Sequence, residues 1–295
     1  MAFVRIIPRI DIKGPNLVKG IHLEGLRVLG RPDVFARYFC ESGADELIYM
    51  DVVASLYGRN SLKDFIAQTS REIFVPLTVG GGLRSLDDIR DVLRAGADKV
   101  SLNTAAINNP DLVAQAARHF GSSTVLVSIE AARQPDGSYE AYTDNGRMES
   151  GRDVFQWARE VERLGAGEIM ITSIDREGTG SGYDVELTRR ISESAAIPVI
   201  ACGGAGQPAD IAQVIKSGKA DAVSAASVFH YDCIRQNGSL KGFTGEGNVE
   251  YLQQVAAGDR AGFSMVEATS IRALKRELLA NGINCRMDTE AYAKH

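Results

Sequence analysis

The sequence predicts an α/β fold, a (βα)8 barrel of the TIM type built from two duplicated (βα)4 halves. Three observations predict it. The first is an internal repeat. "ESGADELIYMDVVAS" (41–55) returns as "RLGAGEIMITSIDREG" (163–178), "VPLTVGGGLRSLDDI" (75–89) as "IPVIACGGAGQPADI" (197–211), and "AGADKVSLNTAA" (95–106) as "GKADAVSAASVF" (218–229). Ala44 and Ala166 lie 122 positions apart, and Gly81–Gly204 and Asp98–Asp221 both lie 123 apart. Three concordant offsets in one order imply a duplication rather than chance. The second is alternation: continuous β-branched runs separated by helix-period stretches mean parallel strands covered by helices. The third is length, since 295 residues accommodate the roughly 250 that such a barrel uses. A doubly wound open sheet is the other solution for such a pattern, but open sheets are not built from two matched halves.

The strands follow in order. In the first half they are "VRIIPRID" (4–11), "ELIYMDV" (46–52), "PLTVGG" (76–81) and "KVSLN" (99–103). In the second they are "TVLVSIE" (124–130), "EIMITSID" (168–175), "PVIACGG" (198–204) and "DAVSAASV" (221–228). Amphipathic segments between them, such as "LDDIRDVLRAG" (86–96) and "GRDVFQWAREVERLG" (151–165), read as helices. The last helix, "TSIRALKRELLANG", closes on Gly282 in the usual capping position. Residues 1–295 form one domain on this reading. A glycine-rich polar insertion at about 233–265 precedes the last helix. It reads either as a tolerated surface loop or as a lid overhanging the mouth.

Composition narrows the class. Hydrophobic residues make up 44% and charged residues 24%, as in ordinary globular proteins. No apolar run approaches the roughly 18 residues of a membrane span, and "MAFVRIIPRID" lacks the pattern of a secretory signal. A cytoplasmic setting without membrane contact is expected. Cys40, Cys202, Cys233 and Cys285 are widely spaced, which suits reduced thiols rather than a disulfide frame or zinc site. A net charge of −5 argues against a nucleic-acid surface. No metal and no cofactor is expected. His22, His119, His230 and His295 show no ligand spacing and read as structural.

Chemistry in this fold sits at the C-terminal ends of the strands. Asp11 ends the first strand, and Glu130 ends the fifth 119 positions later, at the duplicated place. Asp51 and Asp175 end the second and sixth, with Glu177 just beyond. A lone strand-end acid caps a helix or pairs with a cation such as Lys19 or Arg133. A symmetry-related pair reaching into one cavity suits general acid–base work, because its surroundings can separate two pKa values. Glycines form the second constellation: "VGGG" (79–82) with "NTAA" (103–106), and "CGGAG" (202–206) with "AASVF" (225–229). Glycine lets backbone N–H groups approach a phosphate closely. Two such grips at one mouth predict an elongated ligand with a phosphate at each end. At the strand starts, Arg5, Glu46, Lys99 and Glu168 supply mixed charges. They form either a stabilising floor plug or a gate for a small polar molecule.

These motifs resemble a known family. "RIIPRIDIKGPNLVKG", "SGADELIYMD", "PLTVGGGLRS", "GADKVSLNTAA", "GAGEIMITSIDREGTGSGYD" and "GGAG" with "AASVFH" are similar to the cyclase subunits of imidazole glycerol phosphate synthase, in the histidine-biosynthesis barrel family. The likeness covers about residues 3–232 and resumes near 266–287. It implies a lyase-type cyclase working as a heterodimer with a glutaminase, whose ammonia climbs the barrel axis. The implied substrate is a bis-phosphorylated ribulosyl aminoimidazole carboxamide nucleotide. The implied products are imidazole glycerol phosphate and an aminoimidazole carboxamide ribotide. The resemblance assigns acid–base roles to Asp11 and Glu130 and places Lys19 in a mobile first loop. Gly82, Asn103 and Thr104 fall to one phosphate grip, and Gly203, Gly204, Ala226 and Ser227 to the other. Thr172, Glu177 and Gly178 join the substrate-binding set, and Arg5, Glu46, Lys99 and Glu168 become the ammonia gate.

This chain departs from the family pattern in four places. Glu130 and Glu177 stand where aspartate is usual, Arg9 where cysteine is common, and Ser123 where glutamine is common. A glutamate carries its carboxylate one bond further, roughly 1.5 Å, and about 1 Å of misplacement at a reacting centre costs on the order of 100-fold. Some relatives of the cyclase serve surface-polysaccharide pathways, where they are thought to pass ammonia from a glutaminase to a sugar amidotransferase. The departures and the insertion fit that alternative.

Overall fold

Alternation along the first strand sets the two sides of the barrel. The computed structural model describes residues 3–54, 63–237 and 265–287. In β1 (Arg5–Lys13), Ile6, Ile10 and Ile12 pack into the core beneath the helices. Ile7 joins a separate apolar cluster with Ile48, Leu126, Met170, Ile200 and Ala222. Side chains of a strand alternate faces, so Arg5, Ile7, Arg9 and Asp11 form one inward column from floor to mouth.

The barrel closes through eight parallel strands. After β1 come β2 (Asn16–Ile21), β3 (Glu24–Gly30), β4 (Leu47–Asp51), β5 (Leu77–Gly80), β6 (Lys99–Leu102) and β7 (Val125–Arg133). Then follow β8 (Tyr139–Thr143), β9 (Met148–Asp153), β10 (Glu168–Ser173), β11 (Val199–Cys202) and β12 (Ala222–Ala225). Parallel pairing runs β1–β4–β5–β6–β7–β10–β11–β12 and returns from β12 to β1. This is the predicted (βα)8 barrel. Between the strands lie helices including α1 (Pro32–Glu41), α2 (Lys63–Thr69), α3 (Leu86–Ala95), α4 (Thr104–Asn108) and α5 (Asp111–Phe120). The second half adds α6 (Val154–Arg163), α7 (Val185–Ser192), α8 (Pro208–Lys216) and α9 (Ser227–Asn237), and α10 (Ile271–Ala280) closes the described chain. Among the described residues no helix is long and apolar enough to cross a membrane.

The four remaining strands are two hairpins that the apolar pattern of the sequence does not predict. β2 and β3 pair antiparallel, and β2 pairs with the overrun of β1 at Asp11–Lys13. β8 and β9 do the same on the overrun of β7 at Glu130–Arg133. Asp11 and Glu130 therefore do not end their strands. Each sits where the strand leaves the barrel for its hairpin, at duplicated positions.

Two boundaries also move. The helix expected from residue 151 starts at Val154, because 151–153 belong to β9. Asp153 accepts from the Gln156 N–H at 2.8 Å and caps it. Residues 233–237, expected to open the insertion, continue α9; the rest of that segment up to 264 lies outside the described residues. α10 is capped by Ser270 and followed by Gly282 at φ 75°, as anticipated.

Candidate active site

Glycine shapes both cradles at the mouth. Gly81 sits at φ 99° after β5, and a Cβ there would lie 2.3 Å from the Asp51 carbonyl oxygen. Its repeat mate Gly204 sits at φ 108° after β11, where a Cβ would lie 2.2 Å from the Gly182 carbonyl oxygen. Neither conformation nor space admits a side chain. The first cradle, with Gly82, Asn103, Thr104, Asp51 and Asn145, borders a cavity of about 1140 Å³ including its open mouth. Glu130 lines it. The second cradle, with Gly203, Gly204, Ala226 and Ser227, borders a smaller space of about 300 Å³. Arg9, Lys19, Glu177 and Gly178 line it as well.

Of the two acids expected to share one cavity, only Glu130 borders either of these spaces. The Asp11 carboxylate accepts from Arg9 Nε at 2.7 Å, and both side chains are buried. Arg9, absent from the predicted site, is therefore its ion-pair partner. It lies two residues before Asp11 on the inward face, so strand periodicity alone could have found it. The two acids remain coupled electrically. Burial pushes the Glu130 carboxyl up to about 7; the Asp11 charge adds to this, while Arg9, the Gly146 N–H and Asn103 oppose it. Gly146, at the tip of the β8–β9 hairpin, donates to Glu130 Oε2 at 2.8 Å. Pairing of β7 with β10 sets Glu130 level with Thr172, which is fully buried.

Lys19 lies on β2 with its side chain buried. Its ammonium donates to Glu177, both side chains being buried. Burial alone would raise the Glu177 carboxyl, but Lys19 and Arg9 outweigh it and hold it below the usual value. Loop contacts press the first hairpin onto the mouth. His22 N–H donates to the Glu177 carbonyl at 2.8 Å, and Asn145 Nδ2 donates to the Leu23 carbonyl at 3.1 Å. A Cβ on Gly178 would meet the Gly20 carbonyl oxygen at 2.4 Å, so that glycine is what allows the approach. Asp175 accepts from the Arg133 backbone N–H rather than facing the mouth.

His230, expected to be structural, touches the site. It is fully buried beside Phe35 and Phe39. Burial lowers its imidazole to about 3, so the neutral ring's Nε2 donates to the Arg9 carbonyl at 2.9 Å. Among the described residues no group of three His, Cys, Asp or Glu side chains could hold a metal ion.

At the floor the four predicted charges close a ring. Arg5 Nη1 lies 2.6 Å from both Glu46 and Glu168, and Lys99 Nζ lies 3.1 and 3.0 Å from the same two acids. Each cation bridges both anions.

A model of the histidine biosynthesis protein family matches residues 5–235. The chain belongs to that family. It is 57% identical over 207 residues to the imidazole glycerol phosphate synthase subunit HisF of Legionella pneumophila, covering 70% of this chain and 98% of that protein. It is 47% identical over 228 residues to the subunit of the same name from Alkaliphilus metalliredigens (strain QYMF), covering 77% and 90%. In this member of the histidine biosynthesis family, the cradles, the buried acids and the floor ring all fall within the matched stretch.

Proposed function

We propose that this chain is an imidazole glycerol phosphate synthase cyclase subunit, driven by ammonia from a glutaminase partner and operating in the cytoplasm. The observation that carries the reading is the pair of unlike carboxyls at duplicated positions. Glu130 titrates near neutrality, while Asp11 is bound to a guanidinium. Unlike environments assign unlike roles. Glu130 is then the acid that protonates the ribulosyl carbonyl oxygen, which leaves as water once ammonia has added, and Asp11 the base that accepts a proton from the added nitrogen. The two glycine cradles suit a substrate with a phosphate at each end, and the relatives' names favour this reading over the sugar-amidation alternative.

Ammonia would enter through the floor ring. Above it the interior is apolar, with the small hydroxyls of Thr78, Ser101, Ser128 and Ser224 buried and unpaired. A neutral amine crosses such a lining at far lower cost than an ammonium ion. Phe3 and Phe74, just ahead of β1 and β5, expose large apolar surfaces at the same end, which suits docking of the partner.

The test is turnover of the bisphosphate nucleotide with an ammonium salt alone, followed by complementation of a cell lacking its own cyclase subunit. Imidazole glycerol phosphate is the expected product; folded protein that makes none refutes the reading.

A further inference from the structure

Arg9 has no assigned part in the reaction, yet it is nearly the largest fully buried side chain in the molecule. Its guanidinium carries five N–H donors in a rigid fork. Nε donates to Asp11 at 2.7 Å, and Nη1 donates weakly to Cys202 Sγ at 3.6 Å. Nη2 is buried and has no partner. A buried charged donor left unpaired is costly, so a residue that keeps one is poised for an acceptor. The side chain lines the small cavity together with Gly203, Gly204, Ala226 and Ser227. α9, which starts at Ser227, runs for 11 residues and points its N-terminus at the same space. The His230 bond to the Arg9 carbonyl fixes β1 against that helix.

We infer that Arg9 is a ligand-binding residue: its free Nη2 donates to the phosphate group held by the Gly203–Ser227 cradle while Nε stays on Asp11. The fork geometry of arginine matches phosphate oxygens. One side chain then ties the anionic end of the ligand to the base, so seating the phosphate also fixes Asp11. The inference rests on the bisphosphate reading of the mouth and adds to it a specificity-determining residue at a position where the family resemblance implies an uncharged cysteine.

The experiment is a titration of the full chain with inorganic phosphate, followed through backbone amide resonances. In the unsubstituted protein, the Gly203, Gly204 and Ala226 amides report one cradle, and the Gly82 and Thr104 amides the other. In Arg9→Met the midpoint of the first set should rise about tenfold or more, the usual weight of a charge-assisted contact, while the second set keeps its midpoint. A general loss of structure would move both sets. Arg9→Lys, which keeps the charge but loses the fork, should raise the first midpoint several-fold and serves if Arg9→Met fails to fold. Unchanged midpoints at Gly203 and Gly204 in the folded variant overturn the inference. So does an absence of phosphate-induced changes there in the unsubstituted protein. In the ammonium-driven reaction, Arg9→Met should raise KM more than it lowers kcat. If the unsubstituted protein shows no turnover but Arg9 still governs phosphate affinity, the cyclase reading fails and this inference stands.

Discussion

Glu130 shows what one methylene does at a buried site. Its longer side chain reaches the Gly146 N–H at 2.8 Å, a contact that an aspartate, roughly 1.5 Å shorter, would lose. Glu130→Asp should therefore lower ammonium-driven kcat by about 10- to 100-fold, despite restoring the residue that the family resemblance implies. Glu130→Gln removes the titrating proton and should lower kcat by about 10²- to 10⁴-fold. The two forms also differ in stability. A carboxyl raised in the folded state stabilises it fully below its ordinary value of 4.5, and that contribution is lost as pH rises through about 7. Urea unfolding across this window should show the unsubstituted protein losing roughly 3 kcal/mol relative to Glu130→Gln. A constant gap would contradict the buried placement. At this scale Asp11 and Glu130 were legible, because the repeat aligns them. Arg9 is visible to strand periodicity, but a basic residue in mid-strand carries no local sign of what it will bind. Gly146 was not legible, since its contact depends on how a hairpin folds back.

The elements explain which parts of the fold the sequence announced. The eight barrel strands are continuous apolar runs buried on both faces, and that pattern is local. The hairpins are different. In the first, the positive-φ turn residues are His22 and Leu23, side chains that give no turn signal. Pairing with the β1 overrun and contacts from the loop after β10 hold it instead. The second turns through Asp144, Asn145 and Gly146, all at positive φ; that Asp-Asn-Gly signal is local and readable, unlike the first. The late start of α6 has a local cause in the Asp153 cap. Asp153→Ala should cost about 1 kcal/mol in urea unfolding and leave the ammonium-driven rate unchanged. An unaltered midpoint would mean the cap contributes nothing.

For the whole molecule, the proposed route gives the floor ring and the mouth of one barrel separate duties. Lys99→Met leaves Glu46 and Glu168 sharing Arg5 alone. Breaking such a partly exposed ring should cost about 1–3 kcal/mol. On the proposed route it should also alter glutamine-driven turnover while sparing the ammonium-driven rate, a split that paired assays would reveal. Phe74 is 90% exposed, and Phe74→Asp should weaken glutaminase binding on calorimetric titration without changing the melting temperature. Equal affinity would place the partner elsewhere. The column Arg5–Ile7–Arg9–Asp11 carries a consequence for mutation. Deleting a single residue between Arg5 and Ile7 would rotate either Arg5 or Asp11 out to the helical shell, since both ends cannot keep their facing on a shortened thread. Point substitutions along β1 are thus expected to be graded in effect, whereas a one-codon deletion there should remove one end of the column outright.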